Sequence, residues 1–256
     1  MGNNQELVLS INELLFLASE AGADEFFGVG DPFLFMSVEQ IRTTLENAGA
    51  LLDEKGYGDM DFDGKFQMKN DVLSLIRPCA FCDAYLTVEN GSSNERVVYY
   101  FAEDIFMKLW KCKDGWHLKP ADKEEELANL CNEFTSDVYN MVTPQRKVSS
   151  KYLKKLKKAV ANKEEEEQSK LLAQLENDEM KTIVLDMVSE NTETSSLILS
   201  DFTADVVRAI LHLNTKHGAI LVTETEDTYS DEWWLLPAAS DRMKSEIEML
   251  LGRISV

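Results

Sequence analysis

Three groups of residues carry types that could do chemistry. Asp59-Met-Asp61-Phe-Asp63-Gly64-Lys-Phe66 has the alternating carboxylates, the glycine and the following hydrophobe of a calcium loop. Its twelfth position is Asn70, where bidentate coordination wants Glu, and good entering and exiting helices are missing. A polar turn between short extended segments is the better reading. Cys79-Ala-Phe-Cys82 is a CxxC pair. A zinc site needs two more ligands, and Cys112, Cys131 and the histidines His117, His212 and His217 show no second ligand pair. A redox motif wants a thioredoxin-like βαβ setting, which is absent. Both cysteines read as small buried hydrophobes. The histidines sit on or beside strands with no nucleophile motif nearby, and the glycines form no phosphate-cradling loop. The expectation is a protein that binds rather than catalyses, with no cofactor and no metal.

The elements around these residues follow from periodicity and punctuation. Ser10 to Glu13 and Ser37 to Gln40 fit capping boxes, in which hydroxyl and carboxyl or amide oxygens satisfy helix-end N–H groups. The first opens a helix carrying Leu14, Leu17, Ala18 and Ala21 and ending at Gly22. The second opens a helix carrying Ile41, Leu45, Ala48 and Leu52, closed near Gly56. Asp59 to Phe66 suggests a short hairpin, and Lys69 to Leu75 a short helix ended by Arg77-Pro78. Strands are expected over Ala84 to Glu89, Arg96 to Ala102, Ile105 to Lys111 and Trp116 to Leu118.

Lys123 to Val142 reads as a helix with Leu127, Leu130, Cys131, Phe134, Val138 and Met141 on one face, broken by Pro144. Lys147 to Asn162 is basic and amphipathic, and an acidic run begins at Glu164 to Glu167. This stretch is the candidate hinge or exposed arm. Its Lys154-Lys155 and Lys157-Lys158 cluster reads first as a solvated helix face, and otherwise as a partner for the acidic run or for an acidic protein. Ser169 to Leu175 reads as helix, Met180 to Ser189 as strand, Leu197 to Leu199 as strand, and Phe202 to Val207 as either. Ala209 to Pro237 forms a three-strand meander turned by Lys216-His217-Gly218 and by a polar stretch from Glu226. Trp233 and Trp234 point to opposite sheet faces. Ser240 to Ile254 closes the chain as a helix.

The chain has 256 residues, 44% hydrophobic and 28% charged, enough for one large domain or two small ones with a substantial core. A net charge of -20 disfavours nucleic acid, whose phosphates would be repelled over most of the surface. Neither a signal peptide nor a membrane span is read, so the expected compartment is the cytoplasm with four reduced thiols. A faint internal echo sets AYLTVENGSSNERVVYYFAED beside IVLDMVSENTETSSLILSD, and MKLWKCKDGWHLKP beside AILVTETEDTYSDEWWLLP. One α+β domain is therefore expected, of two similar halves (about 7–122 and 145–256) joined by a helix over 123–142.

Three stretches carry a family resemblance. Thr215-Lys-His217-Gly218-Ala-Ile220-Leu221-Val222, followed by Asp231-Glu232-Trp233 and the terminal helix, resembles the late hairpin of the EspG family, the cytosolic chaperones of ESX (type VII) secretion. Gly58 to Glu89 repeats that family's turn, helix, Arg-Pro and strand, and the opening helix from Leu9 to Asp24 matches at Leu14, Ala18, Gly22 and Ala23. The segment Glu124 to Gln168 has no good match. The resemblance implies an α+β fold with a central antiparallel sheet flanked by helical bundles and a pseudo-two-fold. It also implies a non-enzymatic chaperone or adaptor for a helical secreted protein of the PE–PPE, WXG or LXG kind. The family's longer loop in the first hairpin contributes to substrate contact. Here only Asn90, Gly91, Ser92, Ser93 and Asn94 remain, and these five are the expected partner-binding residues. Two rivals stand beside this reading: an immunity protein for a cognate toxin, and a hydrolase built on a deep pocket with His117 or His212 and an acid.

Overall fold

The computed structural model describes residues 6–91, 93, 95–134, 146–175, 178–189, 193–203, 205–215, 218–224, 231–238 and 240–251. Several expectations fall outside these residues: Ser92 and Asn94 of the short loop, the Lys216-His217 turn, the polar stretch from Glu226, and Val138, Met141, Pro144 and Ile254.

Both capping boxes form. Ser10 Oγ accepts from Glu13 N and Glu13 Oε2 accepts from Ser10 N, opening α1 (Ile11–Glu20). Ser37 and Gln40 make the same exchange at the head of α2 (Val38–Glu54). Before α1, where the sequence assigns no element, lies a strand, β1 (Leu7–Leu9). Between α2 and α3 (Asn70–Ala80) stands the hairpin β2 (Gly58–Met60) and β3 (Phe66–Met68).

α3 corrects a second expectation, because it does not stop before Pro78 but runs through it. Proline removes one N–H. The helix ends two residues later, so only its last turn is weakened. The side chains of Pro78, Cys79 and Ala80 are buried there, and Phe81 N still donates to Arg77 O.

The first meander is β4 (Ala84–Asn90), β5 (Glu95–Ala102), β6 (Ile105–Cys112) and β7 (Gly115–Pro120), followed by α4 (Lys123–Glu133). The second half opens with β8 (Arg146–Ser149), α5 (Ser150–Ala161), α6 (Glu165–Leu172) and α7 (Asp178–Met187). It continues with β9 (Glu193–Asp201), β10 (Val206–Thr215), β11 (Gly218–Glu224), β12 (Glu232–Pro237) and α8 (Ser240–Leu251).

Two more expectations are overturned here. The basic stretch from Lys147 is neither arm nor hinge. Its strand pairs with β12, and α5 buries Leu156 and Ala159 in the core while its lysines face water. The span from Met180 is helix rather than strand. Met180, Ile183, Val184 and Val188 are buried at three- and four-residue spacing, so helical packing overrides the β-branched propensity of Ile and Val.

Ten strands make one antiparallel sheet in the order β1-β7-β6-β5-β4-β9-β10-β11-β12-β8. The two meanders meet where β4 pairs with β9, Leu86 opposite Leu199. Each edge strand is the first strand of its half and pairs with the last: Leu9 lies opposite Trp116, and Val148 opposite Trp233. One face of the sheet packs on α4 and α8 through a core containing Leu86, Phe101, Leu199, Leu221, Met243 and Ile247. The opposite face carries two separate cores. Helices α1 to α3 cover the first meander through Leu14, Ile76, Tyr100 and Leu109. Helices α5 to α7 cover the second through Leu156, Val184, Val222 and Leu235. Trp233 packs on the α5–α7 core and Trp234 on the α4–α8 core, opposite faces as their adjacency in a strand requires.

Candidate partner-binding surface

The two helical layers on one sheet face leave a strip between them. Across it, Tyr85 of β4 lies opposite Ser200 of β9, and Ser200 opposite Val207 of β10. Val207 is 64% exposed although it sits on a central strand. Phe202, in the β9–β10 turn, is also exposed and packs with Phe27 (ring centroids 4.5 Å apart) and Tyr85 (5.7 Å).

From Tyr85 the apolar surface continues into a cleft of about 670 Å³ between α1, α2 and the loop joining them. Leu15, Phe26, Phe27, Phe33, Ile41 and Leu45 line it, with Asp24, Glu25 and Asp31 at its acidic edge. The loop is drawn against the sheet at Gly28, whose φ is +77° and where a Cβ would meet Val98 at 2.6 Å. Beyond the cleft, Leu34, Phe35, Met36 and Val38 stand in solvent, Phe35 at 96%. Single exposed apolar side chains are ordinary. A contiguous run beside an apolar cleft is the mark of an interaction surface. The sequence showed the run Phe33-Leu-Phe-Met36 plainly. It carries neither helical nor strand periodicity, so no local signal assigns it to an element.

The five-residue loop is built differently. Of its described members, Asn90 Nδ2 donates to Glu133 Oε1 of α4 at 2.9 Å, and Gly91 N donates to Ser195 Oγ of β9 at 3.2 Å. Ser93 Oγ accepts from Glu95 N and donates to Glu95 Oε2. A Cβ on Gly91 would lie 2.1 Å from the carbonyl oxygen of Thr194, so the loop presses on β9 where only glycine fits. Beneath its root a cavity of about 140 Å³ opens between α4 and the sheet, lined by Asn90, Glu95, Tyr99, Lys108, Glu126 and Glu133. There Lys108 Nζ pairs with Glu126 at 2.7 Å, and Tyr99 Oη donates to the same carboxylate at 3.0 Å.

The residues weighed for chemistry are dispersed. Asp61 Oδ1 accepts from the N–H groups of Asp63 and Lys65, so the acidic loop is a self-bonded turn of a β-hairpin, not a helix–loop–helix. Cys79 and Cys82 are buried among the first helices. Burial pushes both thiols up, Cys82 to about 12, and they stay protonated at neutral pH. His212 is half-buried in β10 with its ring edge-on to Phe134 at 5.5 Å, and burial lowers its pKa. Among the described residues its Nε2 has no hydrogen-bond partner. His117, on β7, holds Glu6 at Nδ1 and Asp114 at Nε2, which raise its pKa. His117 and His212 sit on different strands in different halves of the sheet.

These features define the fold as α+β of the EspG-like type: a large antiparallel sheet, one face shared by two helices and the other divided between two helical layers. A solved structure of this class, the Mycobacterium tuberculosis type VII secretion system chaperone EspG5 in complex with a PE25–PPE41 dimer, matches with a TM-score of 0.63. The match covers 98% of this chain and 97% of that one at 10% sequence identity, so the likeness is one of fold. No protein-family model and no curated protein sequence matches the chain.

Proposed function

We propose that this protein is a chaperone or adaptor for a helical protein exported by type VII secretion, and that it works in the cytosol. The observation carrying the proposal is the fold likeness over nearly the whole length of a chaperone solved with its secreted PE–PPE partner. The apolar surface adds to it. Leu34, Phe35, Met36 and Val38, the cleft behind them, and the Phe202–Val207 strip supply exposed anchors, and Asp24, Glu25 and Asp31 supply a polar rim. Helix-in-groove recognition needs both. The occupant we assign is the apolar tip of a helical secreted protein with basic residues flanking it, complementary to that acidic rim. Covering such a tip before export keeps it from aggregating.

The Asn90 to Asn94 loop is proposed as a secondary contact at the far side of β4, smaller than its counterpart in the resembled family. We also infer a pseudo-two-fold between β4 and β9 relating halves of about 7–122 and 145–256, joined by the segment 123–142 that opens with α4 (Lys123–Glu133). The mirrored strand order supports this. Among the described residues, no helix is long and apolar enough to cross a membrane.

The test is co-expression with helical secretion substrates encoded beside the gene, followed by size-exclusion chromatography. A soluble complex with one of them is expected, and its export should fall when the chaperone is deleted. If no helical substrate is recovered and a toxin domain co-purifies with loss of toxicity, the immunity reading replaces this one.

A further inference from the structure

We propose that the β6–β7 hairpin is a binding site for a thiophilic divalent transition metal of the zinc type, held by Cys112, Asp114 and His117. The hairpin places the three donors. Cys112 ends β6 and pairs with Gly115, the first residue of β7, across a turn of Lys113 and Asp114. Gly115 takes φ +143°, and a Cβ there would meet the carbonyl oxygen of Leu9 at 2.7 Å, so β1 fixes the turn from behind. His117 follows two residues on. The sulfur of Cys112, a carboxylate oxygen of Asp114 and a ring nitrogen of His117 all lie within 4.8 Å of one another. Tetrahedral zinc bonds of about 2.0–2.3 Å set donors roughly 3.5 Å apart. Cys112 and Asp114 are exposed side chains, free to close that difference by rotation.

The histidine is already oriented for the task. Glu6 Oε1 lies 2.5 Å from Nδ1, leaving Nε2 directed at Asp114 Oδ1, 2.9 Å away. A carboxylate on one imidazole nitrogen with the metal on the other is the usual outer-shell arrangement of histidine–zinc sites. Trp110 stacks on the ring with centroids 5.2 Å apart and limits its rotation. Thiolate and Asp114 balance the charge of a divalent ion. Three protein ligands leave one position for water or for a donor from another molecule. The ligands differ in type, Cys-x-Asp-x-x-His across one hairpin, so no pair of cysteines or histidines marks the site in the sequence.

The experiment is a titration of the reduced full-length protein with Co²⁺ at neutral pH, followed by absorbance and tryptophan fluorescence. The expected result is a near-ultraviolet thiolate-to-cobalt band saturating at one ion per chain, displaced by Zn²⁺, with a change in Trp110 emission. Cys112→Ser, an exposed substitution, should abolish the band, while Cys131→Ser should leave it intact. Glu6→Gln should keep the stoichiometry and weaken binding by about 10- to 100-fold. Absence of the band in the folded wild-type protein overturns the proposal. So does a band that persists in Cys112→Ser, or metal binding that His117→Gln leaves unchanged. Circular dichroism of each variant separates loss of ligand from loss of fold.

Discussion

Lys55 Nζ, at the end of α2, lies 2.8 Å from Oε1 of Glu13, the buried carboxylate of the first capping box. The same ammonium donates to Glu13 Oε2 at 2.8 Å and to the carbonyl of Val8 at 3.2 Å. One acid thus caps α1, ties α1 to α2 and, through the lysine, anchors β1. Glu13→Ala loses the cap and leaves the ammonium partly buried without its counter-charge. A loss of about 2–4 kcal/mol is expected in urea unfolding. Lys55→Met should cost at least as much, because it strands the more deeply buried Glu13 carboxylate without its counter-charge.

Leu156 is fully buried on α5, in the stretch whose lysines suggested an exposed arm. Leu156→Ala should destabilise by about 2–5 kcal/mol, the usual cost of a core cavity. An arm would show no change. Chemical denaturation distinguishes the two, and Lys154→Ala, on the solvated face, serves as the near-neutral control.

Gly91→Ala directs a methyl group at the Thr194 carbonyl and forces β4 and β9 apart at the end of their pairing. A cost of about 1–3 kcal/mol is expected, read as a fall in melting temperature. Asn90→Ala breaks the exposed hydrogen bond to Glu133 and should have little effect on stability. Any loss of partner capture in that variant would therefore report contact rather than unfolding.

Phe35→Asp and Leu34→Asp change exposed side chains and should leave stability within about 0.5 kcal/mol of the parent. If the apolar surface receives the secreted partner, both variants should lose it in co-purification. Retention of the partner by the double variant would move the site elsewhere on the sheet.

Alkali should unfold the protein through its buried thiols and phenols. Cys79, Cys82, Tyr99 and Tyr100 all have pKa values raised by burial, Cys82 to about 12. The native state therefore keeps protons that the unfolded chain releases, and stability falls as pH rises. It should be full below about 9, the ordinary thiol value, and decline toward 12. At pH 8 an alkylating reagent should label exposed Cys112 first and spare Cys79 and Cys82 until denaturant is added, as mass spectrometry of the peptides would show.

Much of this architecture was legible because its signals are local. Capping boxes, alternation in β4 to β7 and the apolar stripe of α8 each lie within a dozen residues. The failures have two causes. Tertiary packing overrode propensity at Ile183 and Val184, which look like strand and are helix, and at Pro78, where the helix continues into a buried turn. Long-range pairing was invisible: nothing within Leu7 to Leu9 announces a strand whose partner begins more than a hundred residues later. The apolar surface at Leu34 to Val38 lay in plain view, but only the fold shows that nothing from the described chain covers it. The hairpin cluster was hidden for the opposite reason, since its donors match no repeated ligand spacing.

The placement of β1 has a further consequence for the order in which this chain is made. β1 is synthesised first and seated last within its half, because its partner strand β7 ends at Pro120. At about 5–20 residues per second on a ribosome, Leu7 and Leu9 wait on the order of ten seconds for their neighbours. The hairpins of β4 to β7 can form within about microseconds once each strand has emerged. Strand β8 waits likewise for β12. Each half thus closes like a clasp whose first link is fastened at the end, and the growing chain carries an unpaired apolar strand through most of that interval.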